Sequence, residues 1–222
     1  VSDAGELWRA FIEGPVYCSA RIPWRDDPAF AVIREHAGLR ESLGGHVGAA
    51  LTLASGMVQA TSQVDLVAIV QAQRPAYGLC LGFGMHALEP YELLQAFDLD
   101  AVHAYEWIAE HVVEAAQMLQ SLCAQEPALP ERIRLHHGTL SDLRVLDDGT
   151  IRVIYTGNVF NHEIPMTPAT FDGAVREILR VLAPGGVVLI RGSAGVLETH
   201  LAPYGCLLLH TPLMAVFQKA SH

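Results

Sequence analysis

The chain of 222 residues is long enough to bury one proper core without disulfide or metal staples, and with 51% hydrophobic and 17% charged residues it lies far from disorder. Its net charge of -10, with 14 Lys and Arg and no basic cluster, would repel a nucleic-acid backbone, so no nucleic-acid partner is expected. No run of 18 apolar residues occurs and no signal peptide is recognisable. The four cysteines stand far apart without metal spacing, so Cys18, Cys80, Cys123 and Cys206 read as buried free thiols of a cytoplasmic protein with no membrane partner.

Residues 1–63 differ in texture from the rest of the chain. Helical periodicity at 6–12, 29–36 and 49–60 is interrupted by Gly14-Pro15, Pro23, Pro28, Gly44-Gly45 and Gly48. The segment is too broken to hold its own core, so it is expected to form a helical cap, with Tyr17, Trp24 and His46 either lining a pocket or anchoring the cap. The chain opens on Val and not Met, so the native start can lie upstream.

From residue 64 the pattern changes to alternating β and α units. A helix is expected at 64–71, a strand at 78–81, a helix at 91–97 entered through Pro90, a strand at 101–105 and a helix at 107–119. Short strands follow at 132–136, 151–155 and 187–190. The helix at 171–182 has Phe171, Val175, Ile178, Leu179 and Leu182 on one face and stops at Pro184-Gly185-Gly186. Glu177 and Arg180 on its other face read as a solvated ion pair without function. Alternation of this kind predicts a mostly parallel sheet covered on both faces. The strands at 206–210 and 214–219 are joined by only Thr211-Pro212-Leu213, which permits an antiparallel hairpin alone.

Within this frame the stretch from Tyr77 to Glu106 carries the chemistry. An apolar run ends at Gly82-Phe83-Gly84, a helix follows, and a second run closes on Glu106. Glycines let the backbone turn sharply and approach a ligand, and the next helix aims its unpaired N–H groups into the same crevice. An acid about 20 residues beyond the glycines can receive a ribose hydroxyl pair. Taken alone, the pattern fits a strand and turn without a ligand equally well.

The residues at the corners resemble the class I S-adenosylmethionine-dependent methyltransferases over residues 64–222. Leu79-Cys80-Leu81-Gly82-Phe83-Gly84-Met85-His86 is similar to the family's first motif, Glu106 to its ribose-binding acid, His137 to Leu143 to its adenine loop, and Leu182-Ala183-Pro184-Gly185-Gly186 to the turn before its fifth strand. The resemblance implies an α/β, doubly wound, seven-stranded sheet with a C-terminal antiparallel hairpin: a Rossmann-like domain at 64–222 beneath the cap at 1–63. It implies S-adenosylmethionine as cofactor, held by Gly82, Gly84, His86, Glu106, Trp107, Thr139, Leu140 and Asp142. Two positions depart from the family pattern: Cys80 stands where an acid usually orients the ligand's amino-acid end, and His86 where a third glycine is usual.

Methyl transfer is an in-line displacement that depends on positioning, with a base needed when the acceptor must lose a proton. In the loop after the fourth strand, His162 is the candidate base, Glu163 its orienter and Asn158 a hydrogen-bonding clamp. The 11 histidines suggest no metal site, because His136 and His137 would point to opposite faces of one strand. The expected function is methylation of a small-molecule acceptor. The competing reading is a non-catalytic or repurposed relative that binds a ligand or partner. Oligomeric state is open, a homodimer among the options.

Overall fold

The computed structural model describes residues 46–84, 87–122, 126–160, 166–191, 196–211 and 214–221, and for 46–53, 121 and 122 the backbone alone. The expected helices at 6–12 and 29–36, and Tyr17, Cys18, Trp24, Cys123, His86, His162 and Glu163, lie outside the described residues, as does the side chain of His46.

In chain order the elements are α1 (His46–Ser62), α2 (Leu66–Gln71), β1 (Tyr77–Leu81), α3 (Leu88–Ala96), β2 (Ala101–Glu106), α4 (Ala109–Leu122), α5 (Leu129–Arg132), β3 (Ile133–His137) and β4 (Ile151–Gly157). They continue with α6 (Pro168–Val181), β5 (Leu182–Arg191), α7 (Leu197–Leu201), β6 (Gly205–His210) and β7 (Met214–Lys219). The strands form one sheet in the order β3-β2-β1-β4-β5-β7-β6. The first five run parallel, β7 lies antiparallel to β5, and β6 pairs antiparallel with β7, as the short connection at 211–213 requires.

Alternation within the strands divides the core in two. Cys80, Val102, Ala104, Val153, Tyr155, Val187, Leu189 and Val216 face one side, where they meet Ala54 and Val58 of α1, Leu66 and Val70 of α2, Leu93 and Leu94 of α3, and Ala115 of α4. Leu79, Leu81, Ile154, Val188, Ile190 and Phe217 face the other, against Ala174 and Ile178 of α6 and Leu197 of α7. Each fully buried Leu or Ile contributes roughly 1.5–3 kcal/mol, so the two layers supply the dominant stabilisation. Helix α1, the tail of the expected cap, thus packs directly on the sheet.

Local signals fix the helix ends. Asp65 caps α2 by accepting from the Ala68 N–H at 3.0 Å, and Thr167 caps α6 through the Thr170 N–H at 3.2 Å, followed by Pro168 in the first turn. Lys219 donates to the carbonyls of Leu179 and Leu182, both at 2.7 Å, and so satisfies the C-terminal end of α6. The expected strand at 187–190 is longer, beginning at Leu182. Ile151 pairs with Leu182 but Val153 with Val187, so residues 183–186 stand outside the regular ladder and Gly185 takes φ +73°.

Two expectations are corrected. Cys206 is exposed on the edge strand β6 and is no buried thiol; Cys80 is buried as expected. Glu177 and Arg180 are not merely a solvated pair. Arg180 donates to the carbonyls of Leu143 (2.9 Å) and Leu146 (2.8 Å), to Asp148 (2.6 Å) and to Glu177, while Glu177 accepts from the Leu143 N–H at 2.7 Å. Together they raise the Arg180 guanidinium above its ordinary range and fasten the connection between β3 and β4 onto α6. Arg180→Ala is expected to leave two buried carbonyls unpaired and to cost about 2–4 kcal/mol in urea unfolding, more than an exposed ion pair is worth. A loss below about 0.5 kcal/mol would return the pair to a surface role.

Candidate functional site

The candidate crevice is placed at the carboxyl ends of β1, β2 and β4, which the parallel register brings side by side. β1 feeds directly into the glycine turn, where Gly82 continues the ladder by donating to Tyr105 O at 2.8 Å. Gly82 has φ +70° and Gly84 φ +71°, the left-handed region that disfavours any Cβ. The two differ in what surrounds them. A Cβ on Gly82 would drive into the side chain of Val159, whereas one on Gly84 meets nothing within 4 Å among the described residues. Gly82→Ala is expected to lose about 2–3 kcal/mol of stability and Gly84→Ala only the backbone share, about 1 kcal/mol, measurable as separate urea midpoints. Equal midpoints would argue that Val159 gives way freely.

Glu106 ends β2 and is 4% exposed. Its Oε1 accepts from the N–H groups of Trp107 (3.0 Å) and Ile108 (3.1 Å), and its Oε2 from the Gly84 N–H (3.0 Å). One carboxylate thus joins the glycine turn to the start of α4. With the Gly84 N–H as its donor, Oε2 keeps a lone pair able to accept from a hydroxyl in the crevice. His111 Nδ1 lies 3.8 Å from Oε1.

The remaining predicted positions form the rim. Trp107 is exposed, and its carbonyl is bonded to His137 Nε2 at 3.0 Å. The backbone of Gly138 donates to Glu106 O at 3.0 Å, bringing the loop that carries Thr139, Leu140 and Asp142 beside the crevice. Thr139 shares a hydroxyl bond with Ser141 at 3.0 Å. Asp142 accepts from Arg144 at 2.7 and 2.6 Å, and this bidentate contact lowers its carboxyl below the ordinary range. Asn158, just past β4, holds φ +57° and donates its N–H to Arg191 O at 2.8 Å. Asn tolerates this conformation better than most residues, and Asn158 is exposed.

His136 and His137 do point apart, since β3 runs through both. His137 is exposed. His136 stacks on Tyr105 with ring centroids 4.6 Å apart, and its Nε2 shares a hydrogen bond of 2.9 Å with His103 Nδ1. Among the described residues, no three His, Cys, Asp or Glu converge as metal ligands.

Sequence reasoning missed a polar group beneath the glycine turn. The Glu89 carboxyl, in the first turn of α3, lies 4.0 Å from Cys80 Sγ, and burial pushes it up to about 8 despite the opposing charge of Arg191. Tyr155 is the register partner of Cys80 in β4. Its hydroxyl lies beside Arg191 and is donated to no acceptor among the described residues. Arg191 is 4% exposed. A lone charge closing the apolar run Val187-Val188-Leu189-Ile190 is a signal that could have found it.

Residues 93–190 match the family described as methyltransferase domain. No curated protein matches the chain. Among solved structures it is similar to a methyltransferase from Geobacter sulfurreducens, with 16% identity over 92% of this chain and 94% of that one and a TM-score of 0.57. It is also similar to the geranyl diphosphate C-methyltransferase of Streptomyces coelicolor (12% identity, 66% and 49% covered, TM-score 0.43). A third similarity is to an arsenic(III) S-adenosylmethionine methyltransferase from Chlamydomonas reinhardtii (19% identity, 52% and 38% covered, TM-score 0.43). The chain thus spans about half or less of the length of those last two proteins. The matched segment runs from α3 through β5, and the chain shares the α/β fold of the Geobacter protein over nearly its whole length.

Proposed function

We propose that this protein is an S-adenosylmethionine-dependent methyltransferase acting on a small-molecule acceptor. The observation that carries the reading is Glu106, whose buried carboxylate ties the Gly84 N–H to the start of α4 and keeps acceptor capacity toward the crevice. The residues present suit the cofactor. Glu106 would receive a ribose hydroxyl, Gly82 and Gly84 would admit the sugar and sulfur, and Trp107, Thr139, Leu140 and Asp142 would border the base. When bound, S-adenosylmethionine supplies an electrophilic methyl group on a sulfonium.

The protein's own contribution would then be alignment and exclusion of water. Asn158 would clamp the acceptor, His162 would take its proton where one must leave, and Glu163 would orient that imidazole. The acidic composition and the loose cysteines accord with a cytoplasmic enzyme and a modest acceptor. No helix among the described residues is long and apolar enough to cross a membrane. Cys80 favours a second reading, a relative that has given up methyl transfer: with its thiol pushed well up by burial and by the carboxyls of Glu89, Glu106 and Glu92, it offers no charge to a ligand.

Isothermal titration with S-adenosylmethionine and S-adenosylhomocysteine is the deciding test. Micromolar binding of both supports the first reading, and methyl release with a panel of small acceptors would complete it. Well-folded protein that binds neither would leave the second.

A further inference from the structure

The loop after β3 carries Asp142, the carboxylate given above a place at the border of the base, and that carboxylate already has a partner. Arg144 grips it with Nε at 2.7 Å and Nη2 at 2.6 Å, and its backbone N–H adds a longer contact at 3.4 Å. The fork holds Asp142 below the ordinary carboxylate range and raises Arg144 above its own. Among the described residues the Arg144 guanidinium makes no other hydrogen bond, so the contact ties no second element to the loop.

The pair is exposed, while the backbone that carries it is fixed. Arg144 has 83% of its side chain in solvent and Asp142 38%. The Gly138 N–H is bonded to Glu106 O at 3.0 Å, and the Asp142 N–H closes a turn onto Thr139 O at 3.1 Å. Leu143 is held at both of its backbone groups, its N–H by Glu177 at 2.7 Å and its carbonyl by Arg180 at 2.9 Å. The Asp142 carboxylate can therefore change partners with no movement of the loop.

Resting on the cofactor reading above, we infer that Arg144 and the base of S-adenosylmethionine compete for the Asp142 carboxylate, so that the Asp142–Arg144 pair is an autoinhibitory contact which binding must open. The base offers its exocyclic amine as a donor. A carboxylate with both oxygens engaged by one cation is a poorer acceptor for it, since lone pairs are occupied and the charge is compensated. Opening an exposed pair lowers affinity by about two- to fivefold. Salt screens the pair, so the penalty shrinks as ionic strength rises. Arg144 is thus a positioning residue that acts through Asp142.

The test compares two ligands that differ at the base alone. S-adenosylhomocysteine carries the amine, and S-inosylhomocysteine has an oxygen in its place with the same ribose and amino-acid end. In titration calorimetry at about 0.05 M salt, Arg144→Ala should strengthen S-adenosylhomocysteine about two- to fivefold and leave S-inosylhomocysteine unchanged. Raising salt to about 0.5 M should close the gap between variant and wild type, a response that a merely structural role would not give. Asp142→Asn added to Arg144→Ala should abolish the gain, and an unchanged urea midpoint for Arg144→Ala would show that folding is not involved. No gain, a loss, or an equal gain for both ligands in Arg144→Ala would overturn the competition and leave the cofactor reading standing. Wild-type protein that binds neither ligand would overturn the cofactor reading and this inference with it.

Discussion

Glu106→Ala is expected to lower affinity for S-adenosylhomocysteine by at least a hundredfold and to destabilise the protein by about 3 kcal/mol. The variant removes one acceptor group that serves three backbone donors, those of Gly84, Trp107 and Ile108. A buried donor left unmatched costs roughly 1–3 kcal/mol, and water entering beside Gly84 would recover part of the total. Binding should suffer beyond the lost hydroxyl contact, because the glycine turn and the start of α4 would no longer be held together. Glu106→Gln is the stricter variant. Its amide has one acceptor oxygen in place of two and would set an N–H against a backbone N–H, so it should bind little better than the alanine variant. Calorimetry on folded protein separates binding from stability, and a Glu106→Gln variant with wild-type affinity would show that the carboxylate is not the anchor.

The second expected effect is a loss of stability in mild acid that originates at His103. The His103–His136 bond needs one nitrogen to accept, so it survives only while at least one ring is neutral. Burial lowers His103 to about 4, with His136 and Arg134 adding to it, and burial likewise lowers His136. An unfolded chain titrates its histidines near 6.5, so between about 6.5 and 4 the unfolded state binds protons that the folded state refuses. Stability from this source is complete above about 6.5, declines as pH falls, and levels near 4. Its amount is about 2–3 kcal/mol for His103. Urea unfolding of wild type and His103→Phe from about pH 7.5 to about pH 4.5 should show the wild type losing stability faster. Parallel curves would mean that the pair titrates normally.

Periodicity made most of the fold legible. β2, β4, β6 and β7 lie within two residues of their expected bounds, because buried strands here are short apolar runs closed by a polar residue or a turn. Helix α6 was plain for the opposite reason, a wide apolar stripe, but its start at Pro168 behind the Thr167 cap lies three residues before the expected Phe171. The one-turn helix α5 was hidden by Pro130, which reads as loop although proline is tolerated in a first turn, and α7 is too short to show a period.

Of the site, the Gly82–Gly84 turn and Glu106 were legible because strand, turn and helix impose their spacing within one unit. What brings Glu89 to Cys80 is the angle at which α3 leaves the turn, and what brings Arg191 to Tyr155 is a register between strands far apart in sequence. Neither is written in local pattern. The Arg180 contacts failed to show for the same reason: an i,i+3 pair with Glu177 is visible in the sequence, but the loop that folds over it is not.

Trp107 is 72% exposed one residue beyond Glu106, on the lip of the crevice. Indole emission shifts to shorter wavelength when water is replaced by a less polar neighbour. Two further tryptophans, Trp8 and Trp24, can be made phenylalanine. The remaining fluorophore would then report occupancy of the crevice by colour, with no label and no knowledge of the acceptor.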